Sequence, residues 1–422
     1  MTGAMTGPEM HALIERLYPI CRSITGDGVR RTLELVGEHL PLTVSEVPTG
    51  TQVLDWNVPR EWNVRDAYVK DASGRRVVDF RASNLHVLGY SVPVSGVFTL
   101  EELRPHLHTL PDQPDLVPYR TSYYAETWGF CLSRHTLDAM DEGPYEVLID
   151  STLEDGHLTY AEHVLPGQVE DEVLISCHVC HPSLANDNLA GVAVAVALAG
   201  RLADPYYTYR FLFAPGTIGA ITWLARNDTG RIRHGLTLAC AGDPGTLTYK
   251  RSRRGDAAID RAVTHVLRGR PHTVLDFSPY GYDERQFCSP GFDLPVGSLT
   301  RTPYAGYPEY HTSADNPGFV SPEALADTLE TLWQVTRVLE GDRSYVNLSP
   351  YGEPQLGRRG LYGSLGGRSD TKQAQMAMLW VLNLSDGEHS LLEIADRSGM
   401  PFAVVAEAAD ALTGAGLLKE RA

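Results

Sequence analysis

The chain has 422 residues, 43% of them hydrophobic and 21% charged, with a formal net charge of −17. That length exceeds one ordinary core and implies two or three domains of a globular protein. The acid excess disfavours a phosphate backbone or an anionic membrane as main partner, and no run of about 18 apolar residues offers a bilayer span.

The opening residues, MTGAMTGPEMHALIERLYPI, lack the basic start, apolar stretch and small-residue cleavage site of a secretory signal. Six cysteines in so long a chain do not make a disulfide framework, so a cytoplasmic setting is expected. Residues 62–80, WNVRDAYVKDASGRRVVDF, alternate around the turn DASGR like a hairpin, and prolines punctuate 93–118. A β-rich inserted domain is therefore expected over 60–143. From about residue 172, short apolar runs alternate with helical patterns. EVLIS (172–176), YTYRFLFA (207–214), GLTLACAG (235–242) and LPVGSL (294–299) read as strands. LAGVAVAVALAGRLA (189–203), GAITWLARN (219–227), AAIDRAVTHVLRG (257–269) and SPEALADTLETLWQVTRVLEG (321–341) read as helices, the last with Ser321 as N-cap and Pro322 at its first position. Such alternation gives an α/β sheet flanked by helices, built from 1–59 and 144–345, with ligands expected at the carboxyl ends of the strands.

After about residue 345 a Gly/Pro-rich stretch, SPYGEPQLGRRGLYGSLGG, reads as a linker. Residues 351–422 then follow a helix–turn–helix–wing pattern, but hold seven Lys/Arg against nine Asp/Glu. A DNA reader should show a basic footprint, so nucleic acid is disfavoured and a packing or dimerisation module, with a homo-oligomer in view, is expected.

The densest chemistry lies in CHVCHPSLANDNLAG (177–191). A closed structural zinc site would need a second ligand pair beyond Cys177 and Cys180, and Cys240 and Cys288 stand alone. A redox pair wants its cysteines where a loop meets a helix start, whereas these end a strand. The third reading is an open metal site with imidazole and carboxylate ligands from separate strand ends. His178 directly follows a strand, Asp187 precedes the buried helix, Asp243 lies in AGDPG and His311 in EYHTSADN.

SCHVCHPSLANDNLAG, YRFLFAPGTIGAITWL, YDERQFCSPGFDLPVGSLTRTPYAGYPEYHTSADN and LYPICRSITGDGVRRTLE together resemble a bacterial family. Its members carry an aminopeptidase-like domain, an inserted domain of unknown function and a C-terminal winged helix. The resemblance extends to VLDWNVPREWNVRDAYV, NLHVLGYS and VPYRTSYYAETWGFC. It implies a zinc-aminopeptidase-like mixed sheet and one or two zinc ions. His178, Asp187 as the bridging carboxylate, Asp243 and His311 match the ligands, and a cis peptide bond is expected at Asp187–Asn188.

The sequence departs from this pattern in three places. Cys180 stands where the clan has an Asp that orients the first His, so Cys180, His181 and Asn188 are expected to support the ligands. In PGTIG (215–219), Gly216 replaces the general-base Glu and Thr217 stands at a lost ligand. Losing a general base costs about 10²–10⁴-fold in rate. Glu309, two residues before His311, is the sequence candidate to replace it. By the same resemblance 281–310 lines the substrate pocket, where Asp283, Glu284, Arg301, Tyr304 and Tyr310 offer charged and aromatic contacts.

The expected function is zinc-dependent amide hydrolysis of aminopeptidase type on a small peptide or aminoacyl metabolite. The alternatives are a degenerate metal- or ligand-binding protein, non-hydrolytic acyl transfer or cyclisation on the same scaffold, as in glutaminyl cyclases, and a winged-helix regulator, which the acidic charge disfavours.

Overall fold

The structure is a computed structural model that describes residues 5–361 and 371–421. Two compact units divide the chain, Met1–Gly255 with Pro271–Glu330, and Asp256–Arg270 with Thr331–Ala422. Among the described residues no helix is long and apolar enough to cross a membrane.

The first unit is built on an eight-stranded mixed sheet in the order Thr43–Pro48, His157–Leu165, Thr208–Ala214, Glu172–His178, Ile232–Leu238, Val296–Thr300, Leu247–Lys250, His272–Leu275. The four strands from Thr208–Ala214 to Val296–Thr300 run parallel. Every residue of Glu172–His178 is buried, as expected of a central strand covered on both faces. The helix Gly191–Arg201 explains its all-round Ala/Val composition by burying nine of its eleven residues. Ser321 Oγ accepts the Ala324 N–H at 3.1 Å and caps the helix Pro322–Gly341 as expected. The sequence reading missed four strands of the sheet. Thr43–Pro48, Leu247–Lys250 and His272–Leu275 are edge or near-edge segments too short to show a period, and His157–Leu165 is buried at six consecutive positions and so lacks alternation.

Glu61–Lys70 pairs with Arg76–Asp79 in the expected hairpin. Its other side pairs with Tyr145–Glu154, which in turn pairs with Val94–Phe98. The inserted sheet thus extends to Glu154, beyond the expected boundary at 143, because backbone pairing rather than local composition sets its edge.

In the second unit the helices Leu391–Ser398 and Phe402–Gly414 follow one another, and Leu418–Glu420 forms the wing strand. Ser344–Asn347 pairs with both Asp386–Ser390 and Leu418–Glu420. This corrects one expectation. The winged helix begins near residue 344 rather than 351, with the strand Ser344–Asn347 preceding the Gly/Pro-rich stretch. Residues 362–367 of the expected linker lie outside the described residues.

Candidate metal centre

Three chain segments converge on Asp187. His178 ends its strand and places Nε2 2.9 Å from Asp187 Oδ1. His311 comes from the loop after Val296–Thr300 and places Nε2 3.0 Å from Asp187 Oδ2. His181, expected only as support, stands with Nε2 4.0 Å from the same oxygen and joins His178 and Asp187 as a cluster able to hold a metal ion. Zinc takes imidazole nitrogen and carboxylate oxygen at about 2.0–2.2 Å in tetrahedral array, which sets ligand atoms about 3–3.5 Å apart. The spacings from Asp187 to His178 and His311 lie close to that requirement, whereas His181 stands wider at 4.0 Å and His311 lies outside the three-residue cluster.

Burial opposes charge on Asp187, but the neighbouring His181 and the hydrogen bonds with His178 and His311 outweigh it and hold the carboxyl well below its usual range. Burial likewise works against an imidazolium at His178, yet the Asp187 contact and the charges of Asp187, Asp283 and Glu284 raise it overall. Burial pushes His181 down to about 3, which leaves a neutral imidazole with lone pairs to donate.

The segment bearing Asp187 is fixed from behind. Asp315 accepts the N–H groups of Asn186 at 2.6 Å and Asp187 at 3.0 Å. Asn188 Nδ2 donates to the Leu238 carbonyl at 2.9 Å, and Asp187–Asn188 is cis as expected. Asp315 lay within the quoted EYHTSADN stretch but was not singled out, because only the fold reveals that it faces backbone amides.

Asp243 is the main departure. Its carboxylate accepts from Asn186 Nδ2 at 3.0 Å, Thr302 N at 3.1 Å, Thr302 Oγ1 at 2.6 Å and Gly245 N at 2.8 Å. Four donors occupy it, and it stands outside the cluster formed by His178, His181 and Asp187. It positions Asn186 and so acts on the site through the Asp187 segment.

Three cavities open on the histidines. One of about 140 Å³ is lined by His178, His181, Gly216, Thr217, Asp283 and aromatic side chains that include Tyr304 and Tyr310. A second, of about 380 Å³, runs past Gly216, Thr217 and His311 to Trp56 and Tyr124. A third, of about 500 Å³, lies between His181, His311 and the insert residues Tyr119, Arg120 and Tyr123. The insert is sewn to the His311 loop, since Tyr119 N donates to the His311 carbonyl at 2.8 Å and Ser313 N to that of Val117 at 2.9 Å. Tyr119 meets the rings of His181 and His311 edge-on at 5.1 and 5.0 Å, a role the sequence reading did not assign. Tyr282 stacks on His178 at 5.3 Å and Tyr310 on His311 at 3.9 Å, which fixes both imidazole planes.

The remaining expected residues divide by what they touch. Asp283 lies in the smallest cavity with both carboxylate oxygens buried and without a hydrogen bond, and burial pushes its carboxyl up to about 7. Tyr304 lines the same cavity and donates to the Tyr280 carbonyl at 3.0 Å. Cys180 Sγ sits 3.6 Å from His181 Nδ1 and from the Gly216 carbonyl oxygen, so it supports His181 rather than His178. Three expectations are corrected. Glu284 is buried against Lys250 at 2.5 Å as an ion pair. Arg301 donates to the Gly245 carbonyl at 2.9 Å and pairs with Asp327 at 2.8 Å, a structural tie across loops. Glu309 lines none of the three cavities, and its backbone carbonyl accepts from Thr312 Oγ1 at 2.7 Å.

Comparison with known proteins agrees with this architecture. A family model described as a domain of unknown function, DUF4910, matches residues 11–342, and a winged helix-turn-helix model matches residues 343–420. A Clostridium acetobutylicum protein, named provisionally for polysaccharide biosynthesis with an aminopeptidase-like domain, is 52% identical over 420 residues, covering 98% of this chain and 96% of its own. A crystal structure from the same organism, described provisionally as a peptidase, is 50% identical with a TM-score of 0.94 over 98% of this chain and 96% of that one. The zinc aminopeptidase BSAP of Bacillus subtilis is similar in fold alone, at 12% identity and a TM-score of 0.57 over 80% of this chain and 96% of its own. The chain belongs to the DUF4910 family, an aminopeptidase-like α/β fold followed by a C-terminal winged helix.

Proposed function

We propose that this chain is a zinc-dependent amide hydrolase of aminopeptidase type that acts on a small, amino-acid-containing substrate. One observation supports it above the rest: Asp187 presents one oxygen to His178 and the other to His311, with His181 alongside, where three cavities meet. His178, His181, Asp187 and His311 would hold zinc, which when bound polarises a carbonyl and acidifies water. The protein's own groups do the rest. Asp315 and Asn188 hold the Asp187 segment in place, Tyr282 and Tyr310 orient the imidazoles, and the insert walls one side of the site. Cavities of about 380 and 500 Å³, which share Tyr123 and His311 in their walls, suit an amide with modest groups rather than a folded protein. Six free cysteines accord with a cytoplasmic setting.

Gly216 favours a second reading, binding without turnover, because glycine offers no group that can take a proton. Elemental analysis and a panel of aminoacyl p-nitroanilides separate the two. The hydrolase binds zinc, cleaves at least one anilide, and loses activity with a chelator and in His311→Ala. A zinc-loaded chain inert towards every anilide supports the second reading, and a chain that takes up no zinc sinks both.

A further inference from the structure

We propose that Asp283 is the carboxylate that takes the proton of the attacking water, using the room left by the absent side chain at Gly216. The inference rests on the hydrolase reading above and names the proton acceptor that reading lacks.

Asp283 is the one carboxylate among the described residues lining the three cavities beside the histidines. It is 1% exposed, and neither of its oxygens receives a hydrogen bond. A buried carboxylate without donors costs folding free energy and persists where the group has another use. Its neighbour Glu284 is neutralised by Lys250, whereas Asp283 has no ion pair. Its position links it to Gly216. A Cβ built at Gly216 falls 3.4 and 3.6 Å from the two Asp283 oxygens and 3.1 Å from His178 Cβ. Positions 216 and 283 therefore address one space beside His178, and a second acid there would set two buried like charges against each other. The glycine and the aspartate form a matched pair.

The step balances. One O–H bond of the water breaks, its proton passes to an Asp283 oxygen, and the water oxygen bonds to the amide carbon. The same proton then moves to the leaving nitrogen as the C–N bond breaks, and Asp283 returns to its carboxylate form.

The test uses the zinc-loaded full chain, leucine p-nitroanilide turnover, and calorimetric binding of leucine hydroxamate against leucine itself. Asp283→Asn is expected to lower kcat by about 10²–10⁴-fold with zinc content and KM little changed. Hydroxamate affinity, which needs a proton acceptor, should fall about tenfold or more while leucine affinity moves less than about twofold. Adding Gly216→Glu to Asp283→Asn should restore at least about tenfold in kcat, since the acid returns to the same space from the other side. If the wild type hydrolyses or binds hydroxamate and Asp283→Asn leaves both unchanged, the inference falls while the hydrolase reading stands. If the zinc-loaded wild type neither hydrolyses nor binds hydroxamate, the hydrolase reading fails and takes this one with it.

Discussion

A carboxylate kept without donors inside the protein should leave a mark on stability, and its sign can be worked out. Burial raises the Asp283 carboxyl from 3.8 to about 7. Because the folded-state value is the higher, folding binds a proton that the unfolded chain releases. The group therefore favours the folded state most fully below pH 3.8, and that contribution is lost as pH rises through about 7. The rise corresponds to about 4 kcal/mol, of which water drawn in beside the ionised group relaxes part, leaving about 2 kcal/mol. Asp283→Asn cannot ionise, and about half of that loss falls between pH 5 and pH 8, so its thermal midpoint relative to wild type should improve by about 2 °C over that window, at roughly 2 °C per kcal/mol. Any pH-independent cost of burying the amide cancels in that difference. The assay is differential scanning fluorimetry of both proteins, freed of metal by a chelator, across the pH series, because a bound cation would itself lower the carboxyl. A gap that stays constant, or that favours wild type more at pH 8, would refute the argument that this carboxylate is held at a cost.

The site's rear wall gives a second prediction. A Cβ at Gly191 would fall onto Asn188 Oδ1 and 2.7 Å from the Leu238 carbonyl oxygen, so Gly191→Ala should cost about 1–3 kcal/mol and lower zinc content per chain by elemental analysis. Arg210 ties Glu172 at 2.7 Å to Glu162 at 2.6 Å, and Trp223 also donates to Glu162 at 2.8 Å. Arg210→Ala leaves two buried acids without their cation and should cost about 3 kcal/mol in urea denaturation, while Arg210→Ala with both acids made Gln should recover much of it. Glu61 takes two hydrogen bonds from Arg30 at 2.7 Å, and these, as the largest cause, hold its carboxyl down to about 2. Its contribution is present above about pH 4.5 and lost as pH falls towards 2, so the stability gap between wild type and Glu61→Gln, about 1 kcal/mol after solvent screening, should close over that window.

The amino-acid sequence by itself determined the alternation of central strands and helices, the hairpin of the insert and the winged-helix pattern, because those features rest on local periodicity and turn chemistry. It also determined which side chains can ligate, since His178, Asp187 and His311 stand in motifs whose residue types suit a metal. The tertiary structure alone decided who meets whom. Asp243 and Arg301 look like ligand and anion clamp in one dimension, yet neighbours distant in sequence saturate both, Asp243 through Asn186 and Thr302 and Arg301 through Gly245 and Asp327. Glu309 is close to His311 in the chain but away from the cavities, while Asp283, 67 residues beyond Gly216 by number, faces the same space. Proximity along a chain fixes local geometry over a few residues only. A site assembled from strand ends and loops depends on sheet order and on backbone hydrogen bonds that no short pattern encodes.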